Sequence, residues 1–240
     1  MTTLPSSKLF LILLAVMGAV PDLKADESVG GHEWSGFYVG GELGFAGSQA
    51  SEINDFFGDG SEIYRSSIEF NSATGGLFSG YNKRISRNFI ISGEVGINLE
   101  DKERRTVNWS LNGVLSDVGE DYYSFDYTAI ARVRAGSDFG NVFPYISAGA
   151  ALTGISVGYQ ADNIVQRGDG YRNLLGLTVG LGAEFAVLEK LRLRAEYNYL
   201  HFGEQDIDVN ITASSDGLET TVYKVNANRH IGKLGVSIPF

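Results

Sequence analysis

The chain has 240 residues, enough for one or two domains, and no cysteine, which excludes disulfides and thiolate metal sites. Its formal net charge of -10 argues against a nucleic-acid partner, because nucleic acids are bound by basic surfaces. Glycine is abundant (31 residues), proline is scarce (4 residues) and aromatic residues make up 12% of the chain, which suits β-structure better than a helical domain.

The first residues have the pattern of an export signal. Lys8 precedes an apolar run over residues 9–20, which is too short to cross a bilayer as a helix, and small residues follow it. We expect residues 1–25 to be a signal peptide cleaved after Ala25, with Ala19 as the alternative. A buried helix is the competing interpretation of the run. No later segment has the ~20 consecutive apolar residues of a transmembrane helix.

A short lead-in over residues 26–33 precedes a domain over residues 34–240, in which several stretches alternate apolar and polar side chains. Such alternation predicts β-strands with two different faces. The stretches of about ten residues are longer than most soluble strands and match the length that a tilted strand needs to cross a bilayer. The second and fifth stretches alternate weakly, so their facing stays open. The candidate strands are 37–46, 68–82, 89–100, 122–136, 143–155, 174–187, 191–202 and 223–240.

The connections between these strands alternate in length. Short turns on one side and long loops on the other are typical of outer-membrane barrels, in which an even strand number returns both termini to the periplasm. The sequence therefore predicts an all-β fold, an eight-stranded antiparallel transmembrane β-barrel of up-and-down topology, in the outer membrane of a Gram-negative bacterium. The short connections are 82–88, 137–141 and 188–190, and the long, mostly acidic ones are 47–67, 101–121, 156–173 and 203–222.

Aromatic residues near the strand ends predict two girdles at the membrane interfaces. In the fourth candidate strand, alternation places Phe125 on the lipid-facing side together with Tyr123 and Tyr127. The periplasmic girdle is expected to contain Trp34, Phe37, Tyr81, Phe89, Phe143, Phe185 and Phe240, and the outer girdle Phe45, Phe70, Tyr123, Tyr159, Tyr199, Phe202 and Tyr223.

Charged residues of the strands alternate with the apolar set and therefore share the inner face. We expect them to form an ion-pair network that packs the lumen, because an eight-stranded barrel is just wide enough for side chains and isolated buried charges are costly. A selectivity filter or a catalytic carboxylate pair is the competing interpretation. The expected members are Glu42, Glu94, Arg132, Arg134, Glu184, Arg192, Arg194, Glu196 and Lys233.

Two further motifs are candidates for binding. His201 and His230 lie near the outer ends of adjacent strands and are candidate haem ligands, since imidazole ligates haem iron, although an interfacial polar role is the plainer interpretation. Arg167, Gly168 and Asp169 form an adhesion-type tripeptide in the third long connection, a triplet that also occurs by chance. No spacing singles out a hydrolase triad or an ordered calcium loop, so we expect no enzyme activity and no metal site.

Five segments carry motifs of a known family in order: 34–41 (WSGFYVGG), 132–136 (RVRAG), 144–145 (PY), 176–185 (GLTVGLGAEF) and 193–199 (LRAEYNY). Together they resemble the Omp25/Omp31-type outer-membrane proteins of alphaproteobacteria, which are OmpA-like eight-stranded barrels. The chain end, with Val236, Ile238 and Phe240 at alternate positions, is similar to the signal that the β-barrel assembly machinery reads, although Pro239 replaces the charged residue common there. The resemblance implies a surface-exposed barrel, often an immunogenic antigen, with haem binding in some members.

Three functions compete at this point. The inward charges favour a structural barrel with a closed lumen that stabilises the envelope and exposes acidic loops. The alternative is a surface receptor or adhesin that captures haem or binds host surface proteins. A membrane-embedded lipid hydrolase is supported only by the presence of suitable residues. The expected partners of the structural barrel are outer-membrane lipid, lipopolysaccharide and the assembly machinery, and it requires no cofactor.

Overall fold

Strands make up almost all of the chain that the computed structural model describes, which is residues 32–55, 63–100, 109–111, 114–116, 120–161, 166–213 and 217–240. In these ranges no helix is long and apolar enough to cross a membrane. The expected signal peptide, both cleavage sites and most of the lead-in lie outside the described residues. The strands are β1 (Gly36–Asp55), β2 (Ile63–Arg84), β3 (Phe89–Glu100), β4 (Trp109–Leu111), β5 (Val114–Ser116), β6 (Glu120–Ser137), β7 (Val142–Ala161), β8 (Gln166–Leu188), β9 (Leu191–Ala213) and β10 (Gly217–Pro239).

The eight long strands close into one antiparallel barrel. They pair in chain order, and β10 pairs back with β1, whereas the short β4 and β5 extend from β2. At the closing seam Tyr38 lies opposite Pro239, and the Phe240 amide donates a hydrogen bond of 2.8 Å to the Phe37 carbonyl. Pairing the first and last strands satisfies backbone groups that would be costly to leave unpaired in hydrocarbon. The predicted eight-stranded, up-and-down barrel is confirmed.

The two ends of the barrel differ in their connections. At one end, which we call the turn end, residues 85–88, 138–141 and 189–190 join neighbouring strands, and β1 begins and β10 ends there. At the opposite end, which we call the hairpin end, pairs of strands continue well beyond the predicted limits. This arrangement matches the predicted alternation of short and long connections.

Three of the four long connections are largely paired strands, so their prediction as loops is wrong. Beyond the membrane both faces of a hairpin meet water, so the sequence needs no apolar face there and the alternation that marks a strand is lost. Most of residues 101–121 lies outside the described residues. The pairing reaches Asp55 opposite Ile63 in β1 and β2, Ala161 opposite Gln166 in β7 and β8, and Ala213 opposite Gly217 in β9 and β10.

The two faces of each strand carry different side chains, as the alternation predicts. On β3, Ser92 and Glu94 are buried inside the barrel, whereas Phe89 and Ile91 are exposed on its outside. On β10, Leu234 is 70% exposed on the outer face. Exposed apolar side chains on the outer face of such a barrel contact lipid acyl chains.

Phe125 faces the lumen, against the prediction. It is 1% exposed, and the Arg229 guanidinium lies 4.1 Å from the centre of its ring. The register between β6 and β7 shifts between Phe125 and Tyr127, where one extra residue forms a bulge. A single extra residue reverses the facing of the strand beyond it, and alternation alone does not reveal it. Phe202, predicted for the outer girdle, is also buried.

We predict that an arginine on the lipid face destabilises the barrel more than an arginine beside a turn. Leu234 follows the lumen-facing Lys233 on β10, whereas Leu188 ends β8 and is exposed to a similar extent, 63% against 70%. Leu234→Arg should lower the free energy of unfolding in lipid vesicles by roughly 2–4 kcal/mol, and Leu188→Arg by about 0–1 kcal/mol. Urea titration followed by tryptophan fluorescence measures both values. Equal losses would contradict the placement of Leu234 within the hydrocarbon and of Leu188 at its edge.

Candidate functional site

A carboxylate surrounded by three arginines lies in the lumen of the barrel. The Glu94 carboxylate accepts hydrogen bonds from Arg132 Nη2 at 2.5 Å, Arg134 Nη1 at 2.6 Å and Arg194 Nη2 at 2.6 Å. The Tyr38 hydroxyl donates another, of 2.7 Å, to Glu94 Oε2. All five side chains are buried, so these charges interact in a medium of low dielectric constant, where pairing matters most.

A second carboxylate binds two of the same arginines. Glu184 Oε1 lies 2.6 Å from Arg134 Nη2 and 2.7 Å from Arg194 Nη2. Each of the two guanidinium groups therefore bridges Glu94 and Glu184. The planar guanidinium suits this role because its several N–H donors point in fixed directions.

Two further carboxylates are joined through a lysine. Glu196 Oε2 lies 2.6 Å from Arg132 Nη2, and Glu196 Oε1 lies 3.3 Å from Lys233 Nζ. Lys233 Nζ also contacts Glu42 Oε1 at 2.7 Å. Four carboxylates and four cations thus form one neutral cluster, which we call the lumen network: Glu42, Glu94, Arg132, Arg134, Glu184, Arg194, Glu196 and Lys233.

The strand register explains why these charges meet. Side chains of a strand alternate between its two faces, so charged residues two apart point into the lumen together. Residues directly opposite each other on neighbouring strands are the closest cross-strand pairs. Three such pairs carry opposite charges: Glu94 with Arg132, Glu184 with Arg194, and Glu196 with Lys233.

Aromatic rings pack against the network arginines. The Arg194 guanidinium lies 3.8 Å from the centre of the Phe78 ring, and the Arg134 guanidinium lies 3.9 Å from that of Tyr145. Such cation–π contacts stabilise a cation that has lost its water. Gly40 makes room for one ring, because a Cβ atom at this position would overlap Phe78.

A separate ion pair lies nearer the hairpin end, and the sequence interpretation missed it. Arg229 Nη1 donates hydrogen bonds to Glu100 Oε1 at 2.7 Å and to Thr128 Oγ1 at 2.8 Å, and Arg229 Nη2 binds the other Glu100 oxygen. Arg229 lies an even number of residues before Lys233, and Glu100 an even number after Glu94. The same alternation rule would therefore have found both residues.

Residues before β1 fold into the turn end of the barrel. Trp34 is fully buried, and its Nε1 donates a hydrogen bond of 2.9 Å to the Gly140 carbonyl in the 138–141 turn. It packs with three side chains of the strands, and we call Trp34, Ile90, Phe143 and Tyr145 the mouth cluster. The prediction of Trp34 and Phe143 in an interfacial girdle is wrong, because both rings are buried inside the turn end of the barrel, away from lipid.

Arg192, the ninth predicted lumen charge, contacts the chain that enters this mouth. Its Nη2 donates a hydrogen bond of 2.7 Å to the Glu33 carbonyl, and its Nε donates one of 3.2 Å to His32 Nε2. Burial, followed by the charge of Arg192, lowers the pKa of His32, which keeps the imidazole neutral and able to accept this bond. The guanidinium also lies 4.8 Å from the Trp34 ring centre. Arg192 thus fastens residues 32–34 to the barrel.

The two candidate haem ligands lie on the outer face of the barrel. His201 of β9 and His230 of β10 are both exposed. The Nδ1 atom of His230 shares a hydrogen bond of 2.6 Å with the Tyr197 hydroxyl, and the Nδ1 atom of His201 lies 2.6 Å from Asn228 Oδ1. Among the described residues, no group of three or more His, Asp or Glu side chains is arranged to hold a metal ion.

The adhesion-type tripeptide lies within β8 and not in a loop as predicted. Gly168, at its centre, lies opposite Tyr159 of β7 and Ile211 of β9. Its flanking residues, Arg167 and Asp169, are likewise paired with both neighbouring strands. The tripeptide backbone is therefore extended and held on both sides, unlike the projecting loop that the sequence suggested.

Comparison with known proteins agrees with this architecture. Residues 10–230 match the family described as "Outer membrane protein beta-barrel domain". The chain belongs to this family. It is an outer-membrane protein of a Gram-negative bacterium, as predicted.

The chain is also similar to two proteins of Brucella melitensis. The chain is 24% identical over 195 residues to the 25 kDa outer-membrane immunogenic protein, covering 81% of this chain and 78% of the relative. It is 23% identical over 224 residues to the 31 kDa outer-membrane immunogenic protein, covering 86% and 84%. These matches confirm the resemblance to the Omp25/Omp31 type.

Among solved structures, the outer membrane protein OprG from Pseudomonas aeruginosa matches with a TM-score of 0.52 and 14% identity. The match covers 88% of this chain and 98% of OprG. At this identity the similarity supports the barrel fold alone.

We predict that neutralising the central carboxylate is far more costly than neutralising an exposed one. Glu94→Gln leaves three buried arginines short of one negative charge and should lower the free energy of unfolding by roughly 3–5 kcal/mol. The control is Glu204→Gln, since Glu204 faces Lys224 at 3.9 Å with both side chains more than half exposed. That change should cost about 0–1 kcal/mol. Urea unfolding in vesicles compares the variants, and similar losses would refute the role of Glu94.

Proposed function

We propose that this protein is a structural component of the outer membrane whose lumen is closed to ions. On this proposal the barrel stabilises the envelope and carries its hairpins on the cell surface. The observation that supports it is the lumen network, in which eight buried side chains contact one another across a lumen that is just wide enough for side chains. The mouth cluster adds an apolar layer at the turn end.

Charge compensation in the network argues against a filter or a catalytic site. A selectivity filter presents uncompensated charge to passing ions, and a general base must be reachable by its substrate. Glu94 instead contacts three arginines, and Glu184 contacts two. Both carboxylates are at most 4% exposed. A packing role therefore suits these groups better than chemistry, and we propose that the protein is not an enzyme.

The same proposal orients the barrel with its turn end and both termini in the periplasm. Short turns face the periplasm and long connections face outside in barrels of this class. Glu69, Glu204 and Asp206 are exposed towards the hairpin end and would lie at or beyond the surface of the outer leaflet. Lipopolysaccharide and other outer-membrane lipids then surround the barrel. Phe240, at the closing seam, would serve as the signal that the assembly machinery reads.

A closed lumen predicts the absence of porin-like currents. Refolded protein added to a planar lipid bilayer should give little or small, unstable conductance, because the lumen network and the mouth cluster fill the path. A wide porin refolded by the same procedure is the positive control. Large, steady currents from the monomer would overturn the closed-lumen proposal.

The orientation predicts opposite labelling of two single-cysteine variants, a clean test because the chain has no cysteine of its own. Asp206→Cys lies in an exposed position towards the hairpin end, and Arg87→Cys lies exposed in the 85–88 turn. On intact cells a membrane-impermeant maleimide should label the first variant only. The second should be labelled after the outer membrane is permeabilised. The reverse pattern would show that the barrel is inserted the other way.

A further inference from the structure

Polar side chains form a cluster on the outer face of β9 and β10, where a barrel normally meets lipid. The Tyr197 hydroxyl shares a hydrogen bond of 2.6 Å with His230 Nδ1. Asn228 Oδ1 accepts a hydrogen bond of 3.0 Å from the Tyr199 hydroxyl and lies 2.6 Å from His201 Nδ1. The Tyr199 and His230 rings also contact each other, with their centres 5.0 Å apart. We call these five residues the outer polar cluster.

The side chains of the outer polar cluster do not face the lumen. His201 and His230 are exposed, whereas the intervening positions of both strands point inward and are buried. Polar groups that faced only hydrocarbon would be costly, so a cluster of this kind belongs at the level of lipid headgroups. Its free ring nitrogens and its amide can still bind a ligand, because each hydrogen bond described above uses only part of their capacity.

An apolar groove runs along the outer face beside the cluster, with a volume of about 1460 Å³. Its floor includes Gly232, which lies directly opposite Tyr197 on one side and Phe45 on the other. A Cβ atom on Gly232 would meet nothing within 4 Å, so the space above it is open. Ala195 and Leu234 continue the lining towards the turn end. Tyr197 belongs to both features, because it lines the groove and binds His230.

We propose that the groove and the outer polar cluster together bind one molecule of lipid A, the acylated and phosphorylated disaccharide of the outer leaflet. An acyl chain would lie over Gly232 between Phe45 and Tyr197. The phosphate would accept hydrogen bonds from His230 Nε2 and from the Asn228 amide. A sugar hydroxyl would donate to His201 Nε2, because His201 Nδ1 already donates to Asn228 Oδ1. This assignment rests on the orientation proposed above, which places the cluster at the outer-leaflet end of the groove.

Two features favour a lipid over a second copy of the chain as the occupant. The groove is part of the surface that faces acyl chains, and its aromatic wall Phe45 is 75% exposed to them. The polar groups lie at one end of the groove and not along it, which is the layout of an amphiphile with one head and apolar chains. A protein interface would have no need of that layout.

The chain offers a matched control for the acyl part of the site. Gly93 on β3 also faces outward, and a Cβ atom there also meets nothing within 4 Å. It lies opposite Tyr81 and Val133, away from the outer polar cluster. Gly232→Leu therefore fills the proposed groove, and Gly93→Leu adds the same side chain to another part of the lipid face.

The experiment measures lipid binding by native mass spectrometry of the refolded full chain in detergent, with heat-modifiable gel mobility as the check of folding. Wild type and Gly93→Leu should each retain one lipid A per chain. Gly232→Leu should fold and bind lipid A about tenfold more weakly, because its side chain would occupy the space of the acyl chain. A tenfold change corresponds to about 1.4 kcal/mol of binding free energy. Equal binding by Gly232→Leu and Gly93→Leu would overturn the proposed groove. Retention of a second chain in place of lipid would show that the face is a dimer interface and would also overturn it.

A second arm tests the headgroup. The double change His201→Ala and His230→Ala should abolish the preference for lipid A over dephosphorylated lipid A. Asn173→Ala is its control, because Asn173 accepts hydrogen bonds from Tyr127 and Tyr171 in a different outward cluster. Preference for phosphatidylethanolamine, or equal binding of inorganic phosphate alone, would overturn lipid A as the ligand. Binding in detergent does not depend on orientation, so failure here is distinct from failure of the cysteine labelling or of the conductance test.

Discussion

Glu94 accepts hydrogen bonds from three arginines in a lumen that has room only for side chains, and the inside of the barrel is arranged around this contact. Three buried guanidinium groups around one carboxylate carry excess positive charge. Glu184 and Glu196 supply the missing negative charge, and Lys233 with Glu42 continues the balance. A barrel this narrow cannot hydrate such charges freely, so loss of one partner would leave an uncompensated buried charge and destabilise the fold.

The outer face of the same strands obeys an opposite requirement. Leu43, Phe45 and Leu234 are each at least 70% exposed, which would be unfavourable in water and is appropriate in acyl chains. Against this background the outer polar cluster stands apart, since hydrogen-bonding groups on that face need either headgroups or one another. The two faces are independent because consecutive residues of a strand point to opposite sides of it. Lumen and lipid contacts can therefore change separately.

At the turn end, residues that precede the first strand are packed inside the barrel. Trp34 lies before β1 but is buried in the mouth, and Arg192 holds the carbonyl of Glu33. Arg192 therefore stabilises the position of the residues before β1 and does not join the lumen network. The turn that receives the Trp34 hydrogen bond joins β6 and β7, so the contact links the residues before β1 to the middle of the chain.

The sequence by itself determined the number of long strands, their order and the inward facing of the charged residues, because a period of two and the length of a membrane-crossing strand are local properties. Arg229 and Glu100 also occupy positions that the alternation assigns to the lumen. Only the tertiary structure decided which charges meet, since register joins residues such as Glu94 and Arg132 that are distant in the chain. The bulge beside Phe125, the burial of Trp34 and the length of the hairpins were equally hidden. Each of these features depends on a partner strand or on the surrounding solvent. Such dependence does not change the periodicity of the sequence.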